Sequence, residues 1–337
     1  MDARQVFADD AVKQEFLDRF PELAEAAAAA DGRALESLEG GIPLDVAAAT
    51  ADSMAEGTYD PGAQPGLEAI VERFTRPVHL VQDGTFVVPP DEFPNSEEIR
   101  SRLEKARHGL ESAIPSAGRI DLRNHRLDWV GTGWMVAPRI LVTNRHVARE
   151  FATQSAGGFA FQQSFGGPPV RASIDWRREH QRPAESRLRV EEVLWIEPDG
   201  SVDVALLRTA EHGEDGEELP PPIELMTDGE LAAAGVGTWV AVIGYPAQDS
   251  RNDAQDQQRI FDGVYNVKRL APGQLTAVVA QDLVHHDATT LGGNSGSVVV
   301  DLETGKAVAL HFGGIEGQRN EAVQAPHVRR LVDAKTG

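Results

Sequence analysis

The chain has 337 residues, 41% of them hydrophobic, no cysteine, and 53 acidic against 32 basic side chains, for a net charge of −21. This length and apolar content suit a globular protein with room for two sizeable cores. The acid excess argues against nucleic acid and anionic membranes as partners, no apolar run reaches the roughly 18 residues of a membrane-spanning helix, and the lack of cysteine excludes disulfides, thiolate metal sites and a cysteine nucleophile.

At the N-terminus, Met1-Asp2-Ala3-Arg4 is not a basic stretch leading into an apolar one, so a secretory leader is not expected; the cytoplasm is the expected location and secretion the alternative. Positions 8–39 carry Val12, Phe16, Leu17, Phe20, Leu23, an alanine run, Leu35 and Leu38 at helical spacing, closed by Gly40-Gly41. Leu44 to Met54 predicts another helix. Residues 57–66, with Pro61 and Pro65, read as a connection, and Leu67 to Phe74 as a further helix. Arg76 to Val88 sets two apolar runs about Asp83-Gly84, a hairpin signal. After Pro89-Pro90, residues 96–113 predict a helix opening at Ser96, with Glu97 and Glu98 at its positive end. Pro115 and Gly118 separate it from the remaining two thirds of the chain. Residues 1–117 are thus expected to form a mostly helical region, and with 23 acidic against 10 basic side chains they hold more than half of the net charge. Such acid-rich helices are usually solvated faces; an inhibitory or docking region is the alternative.

From residue 118 to the end the pattern changes to short apolar runs separated by Gly, Pro, Asp and Asn. They lie at Val130 to Val136, Ile140 to Thr143, Val190 to Ile196, Val204 to Leu207, Trp239 to Ile243, Leu275 to Ala280, Val298 to Val300 and Ala307 to Leu310. That spacing predicts a mainly β domain over 118–337. Pro326 to Asp333 predicts a closing helix. Gly157-Gly158 and Gly166-Gly167-Pro168-Pro169 read as surface loops, the acidic run Glu211 to Glu218 as another, and His285-His286-Asp287 as a pocket-wall strand rather than a metal cluster, since a further ligand at fixed spacing is missing and the segment directly precedes the glycine-rich loop at 292–296.

Three segments carry chemistry. Gly292-Gly293-Asn294-Ser295-Gly296 places a hydroxyl among glycines, which permit a tight turn and bring backbone amides close to a reacting carbonyl. The N–H groups of Gly293 and Ser295 are the oxyanion-hole candidates. His146 follows the run Ile140 to Thr143, so its imidazole is expected at a strand end facing a cleft. Asp203 opens the buried pattern Val204 to Leu207, where an acid is costly unless paired, and His146 is the natural partner. A hydroxyl nucleophile needs a base for its proton and a carboxylate to hold that base, and the order here is His, Asp, Ser.

With their flanking residues these segments resemble the bacterial trypsin-like serine peptidases, in particular the glutamyl endopeptidase branch. The matching pieces are Val130 to Val136, Val142 to Val147, Asp203 to Leu207, Val242 to Pro246, Thr289 to Ser297 and Leu310 to Gly314. The resemblance covers about two thirds of the chain. It implies a chymotrypsin-like double β-barrel with the site in the cleft between barrels, a protein or peptide substrate, and neither cofactor nor metal. In the glutamyl branch a histidine on the strand after the nucleophile and a threonine just before the glycines read an acidic side chain; the matching positions are His311 and Thr290. Leu291 stands where the branch commonly has a second threonine, and Asn294 where trypsin-type zymogens have an aspartate. The branch also uses a free N-terminal amine in its pocket, which here requires a cut. Residues 1 to about 112 are accordingly expected to restrain the enzyme until a regulatory partner binds or a cut near Glu98, Glu104 or Glu111 releases it. The alternatives are a trypsin-fold peptidase that prefers small or apolar residues, and a latent protease-fold binding module.

Overall fold

A computed structural model describes residues 44–56, 58, 78–87, 97–164, 166–213, 216–248, 261, 263–280, 282–315 and 319–336, with scattered helical residues between 7 and 21. The remainder of the expected 8–39 helix, the connection at 57–66 apart from Thr58, the helix at 67–74 and Pro89-Pro90 lie outside the described residues. Within the described N-terminal part, α1 spans Leu44–Glu56 and buries Ala47, Ala51 and Met54; Lys13 forms an ion pair with Asp52 on it.

Two closed six-stranded barrels make up the rest. The first comprises β3 (Ala117–Arg123), β4 (Trp129–Ala137), β5 (Ile140–Thr143), β8 (Arg171–Asp175), β9 (Arg187–Ile196) and β10 (Ala205–Thr209), paired in the order β10-β5-β4-β3-β8-β9. A two-stranded ribbon, β6 (Ala152–Ser155) with β7 (Gly158–Phe161), stands beside it. Ile120, Met135, Leu141, Ile174, Leu188 and Leu207 fill its interior. Strands β3 and β8 alternate charged or polar with apolar residues, as in Arg119-Ile120-Asp121-Leu122-Arg123, so the alternation hides them from a search for continuous apolar runs.

The second barrel comprises β11 (Trp239–Gly244), β12 (Arg269–Val279), β13 (Leu283–His286), β14 (Val298–Asp301), β15 (Ala307–Ile315) and β16 (Arg319–Gln324); β11 pairs with both β14 and β12, which closes the ring. The expected strand at 275–280 begins earlier, at Arg269. Pro272-Gly273 lies inside it, with Pro272 facing Ala241 across an antiparallel pair and Gly273 facing Val240. Burial between two partner strands overrides the turn preference of such a pair. The short helix α4 (Asp228–Ala234) lies between the barrels in sequence and α5 (Ala325–Thr336) closes the chain.

The segments ahead of the first barrel join the second one. Asp83 and Gly84 take φ of 55° and 79°, the pair of positive angles that a tight two-residue hairpin needs. They connect β1 (His79–Gln82) to β2 (Thr85–Val87), and β1 extends the second barrel's sheet by pairing with β12 at His79↔Leu270. Helix α2 (Glu97–Ala113) then lays Ile99, Leu103, Ala106 and Leu110 into the same apolar cluster as Val81, Phe86, Leu270 and Val308. Each of the larger side chains contributes about 1.5–3 kcal/mol by leaving water. Residue 117 therefore ends a stretch of chain but not a hydrophobic core. Glu104 and Glu111, expected as release points, sit on this helix in contact with Arg107, and a cut there would take away part of the core that α2 supplies.

Candidate active site

His146 lies on α3 (Arg145–Arg149), a single turn that follows β5 and starts after Asn144. Ala205 on β10 pairs with Thr143 at the end of β5, and this register sets Asp203, just ahead of β10, beside the turn. Asp203 then grips His146 twice. Its Oδ2 lies 2.5 Å from Nδ1 of the imidazole, and its Oδ1 accepts the backbone N–H of His146 at 3.0 Å. Asn144 donates to the carbonyl of Asp203 at 3.0 Å, and the Arg145 guanidinium donates to the carbonyls of Pro198, Ser201 and Val202. The loop that carries the acid is thereby tied to the turn that carries the base. Burial pushes the Asp203 carboxyl up, but the hydrogen bonds and charge of His146, with Arg145 nearby, outweigh it and hold the group below its usual range. Asp199, the nearest other acid in sequence, pairs outward with Arg149 at 2.7 Å.

Ser295 arrives from the second barrel on the loop ahead of β14. Gly296 has φ of +88°, and a Cβ there would lie 1.9 Å from the Thr132 carbonyl on β4, so only glycine lets the loop press against the first barrel. Ser295 O accepts the Thr132 N–H at 2.8 Å. The Ser295 hydroxyl is turned to the Phe312 carbonyl at 3.4 Å rather than to the imidazole. Within the loop, the N–H groups of Asn294, Gly296 and Ser297 are bonded to Leu291, His311 and Asn294 carbonyls. Those of Gly293 and Ser295 have no such partner among the described residues. They are the two amides singled out from the sequence.

Behind the loop, His311 on β15 and His286 on β13 form a buried pair, with His286 Nε2 at 3.1 Å from His311 Nδ1. Burial, and secondarily the charge of His146, pushes His311 down to about 3, and burial likewise holds His286 well below its usual value. Both imidazoles are neutral near pH 7. Thr290 is half-buried and donates its hydroxyl to Asn320 Oδ1 at 2.6 Å, while the Asn320 amide donates to Ala288 O at 2.6 Å. His286 lies on the segment expected as a pocket-wall strand, whereas Asn320 was not legible as a pocket residue. The signal for His286 was its place in a period-2 strand, where it faces inward and His285 faces Glu321; Asn320 comes from β16, whose register opposite His286 only the folded sheet sets.

Two six-stranded antiparallel barrels with His146, Asp203 and Ser295 at their junction define a chymotrypsin-like architecture. Comparison with known proteins agrees: residues 131–310 match the trypsin-like peptidase domain family. A probable serine protease of Lysobacter enzymogenes is 31% identical over 294 residues, which cover 79% of this chain and 73% of that relative. An uncharacterized protein of Sinorhizobium fredii is 22% identical over 57% of this chain and 26% of its own length. Among solved structures, the serine endoprotease from Yersinia pestis is 14% identical, with a TM-score of 0.45 over 74% of this chain and 67% of that one. The inactive form of Rv3671c from M. tuberculosis is 18% identical, with a TM-score of 0.42 over 75% of this chain and 97% of that one. The chain belongs to the trypsin-like peptidase family, and it is a serine protease.

Proposed function

We propose that the enzyme hydrolyses peptide bonds through His146, Asp203 and Ser295, and that it prefers an acidic residue, glutamate first, at the cleaved position. The observation that carries the catalytic half is the double grip of Asp203 on His146, because a carboxylate on Nδ1 leaves Nε2 as the proton acceptor. The Ser295 hydroxyl leaves the Phe312 carbonyl, gives its proton to Nε2 and attacks the substrate carbonyl. The amides of Gly293 and Ser295 receive the oxyanion. His146 then passes the proton to the departing amine, and water repeats the sequence on the acyl-enzyme.

Support for the acidic preference comes from the imidazole pair. If His286 Nε2–H donates to His311 Nδ1, then His311 must carry its own proton on Nε2, where it is available to a substrate carboxylate. Neutral donors suit a pocket that is empty between turnovers, since no buried cation is stranded. Thr290 is the second donor, once its hydroxyl exchanges Asn320 Oδ1 for the substrate. The acidic N-terminal region is proposed as the docking site for a regulatory protein.

Ser295→Ala is expected to lower turnover about 10⁶-fold and Asp203→Asn about 10⁴-fold, with thermal unfolding unchanged; a folded Ser295→Ala protein that still turns over removes the serine from the mechanism. His311→Leu is expected to lower kcat/KM for cleavage after Glu by about 10- to 100-fold, the worth of a hydrogen bond to a charged group, and to leave reaction with a small fluorophosphonate nearly unchanged. Wild-type cleavage of a peptide library after Arg or Leu would overturn the acidic preference while leaving the catalytic assignment standing.

A further inference from the structure

The oxyanion donors are only as good as the peptide planes that hold them, and Gly293 is the weak point of this loop. It has φ of +86°, and a Cβ there would lie 2.5 Å from both the Trp129 ring and the Tyr245 carbonyl, so a glycine is required. A glycine also turns freely. The two peptide planes that meet at its Cα therefore need to be held from outside. One is: the Gly292 carbonyl accepts the Ala247 N–H at 2.6 Å, and because the peptide is trans, the Gly293 N–H points the opposite way. The other plane ends in the Gly293 carbonyl, and its partner is the side chain of Thr132, whose hydroxyl donates to it at 3.1 Å.

Thr132 is fully buried on β4 of the first barrel, and all of its polar groups are used. Its hydroxyl also accepts the Tyr245 N–H at 3.2 Å from the end of β11, its backbone N–H donates to Ser295 O at 2.8 Å, and its carbonyl accepts the Thr143 hydroxyl at 2.7 Å, three residues ahead of His146. One side chain from the barrel that carries the base thus holds the carbonyl next to an oxyanion amide in the barrel that carries the nucleophile. No other hydroxyl among the described residues is bonded to the Gly293 carbonyl.

We infer that Thr132 is a positioning residue for the oxyanion hole: its hydroxyl holds the Gly293–Asn294 plane while Ala247 holds the Gly292–Gly293 plane, and with both planes held the torsions at Gly293 are fixed and its N–H stays aimed before substrate arrives. Thr132 touches neither substrate nor reacting atoms; it acts through Gly293. The inference rests on the reading of the Gly293 and Ser295 amides as the oxyanion donors. Losing the lock is expected to weaken what depends on those amides in the transition state and to spare ground-state binding, because the pocket at Thr290 and His311 is built from other elements.

The test compares wild type, Thr132→Ser and Thr132→Val on one peptide substrate, with thermal unfolding as the folding control and a peptide boronate, whose tetrahedral adduct fills the oxyanion site, as a second probe. Thr132→Val is expected to lower kcat about 100-fold, the loss seen when one oxyanion donor fails, to weaken the boronate by a similar factor, and to leave KM within a few-fold. Thr132→Ser keeps the hydroxyl and is expected to restore most of kcat. Should the valine protein not fold, Thr132→Ala repeats the measurement without a second methyl against the Gly293 carbonyl. Ala247→Pro, which removes the N–H that holds the other plane, is expected to give the same kcat-specific loss from a different element. A folded hydroxyl-less variant with wild-type kcat overturns the inference, and so does equal damage in the serine and valine proteins, which would make the effect one of packing. A loss shared equally between kcat and KM also overturns it. An inactive wild type would instead sink the peptidase reading on which it rests.

Discussion

The two barrels reach the same closed form by different routes. The first is continuous in sequence from β3 to β10, and its buried apolar cluster draws on residues between Ile120 and Leu207. The second closes six strands of its own, yet its core cluster also takes in Val78, Val81 and Phe86 from the hairpin and Ile99, Leu103 and Leu110 from α2, all of which precede the first barrel. The hairpin also reaches the first barrel: Asp83 N–H donates to Glu179 at 2.6 Å, the Gln82 amide to the His180 carbonyl at 2.8 Å, and Arg182 holds the Asp83 carboxylate with bonds of 2.6 to 2.9 Å. One barrel therefore holds His146 and Asp203 just beyond the paired ends of β5 and β10. The other holds the nucleophile and leans on a segment that the linear order places outside it.

The largest consequence concerns truncation. A chain that starts at residue 113 lacks the hairpin and α2, and it is expected to lose cooperative unfolding and to bind a dye for exposed apolar surface; a chain that starts at residue 76 keeps both elements and is expected to unfold cooperatively. Folded, active protein from the shorter chain would break the contrast between the barrels and return residues 1–112 to the role of a removable segment.

Next in size, Leu103→Ala in α2 and Leu141→Ala in the first barrel are each expected to cost about 2–5 kcal/mol, because both side chains are fully buried. Denaturant unfolding measures both. A Leu103→Ala cost near zero would show that α2 only rests on the barrel.

A third effect depends on pH. Burial pushes His79 in the hairpin down to about 4 and His311 down to about 3, and it lowers His286 as well. The unfolded chain takes up protons near pH 6.5 that these folded sites refuse, so their stability contribution is whole above that value and falls as pH drops toward the folded pKa values. The slope is about 1.4 kcal/mol per pH unit for each histidine. His79→Leu is expected to make the decline of Tm between pH 6.5 and 5 shallower; an unchanged slope would mean that the hairpin opens before the histidine titrates. The smallest effect is expected from Arg182→Ala, since its partner Asp83 is exposed and surface ion pairs contribute little. A large fall in Tm would show that this rim pair, rather than the apolar cluster, holds the hairpin.

Much of the local structure around His146, Asp203 and Ser295 was legible in the sequence because each part is short and local. The run Ile140 to Thr143 is β5 with the same bounds, His146 lies on the turn directly after it, and Asp203 lies just ahead of β10. Gly296 announces a close approach that its +88° φ and the nearby Thr132 carbonyl explain. The Asp83-Gly84 hairpin and the helix expected over 96–113, observed as Glu97–Ala113, were equally plain. Strands β3, β8 and β16 were harder, since charged and polar residues interrupt their apolar runs.

By itself the sequence determined the family and the local elements that carry His146, Asp203 and Ser295, since these come from periodicity, turn chemistry and motifs a few residues long. Only the tertiary structure decided where the hairpin and α2 belong, that His286 and Asn320 stand behind His311 and Thr290, and that Thr132 reaches across to Gly293. Those pairings join residues up to 191 positions apart, as with Val78 and Arg269. They depend on strand register and barrel closure, which no local pattern encodes and which the chain settles only when both cores are packed.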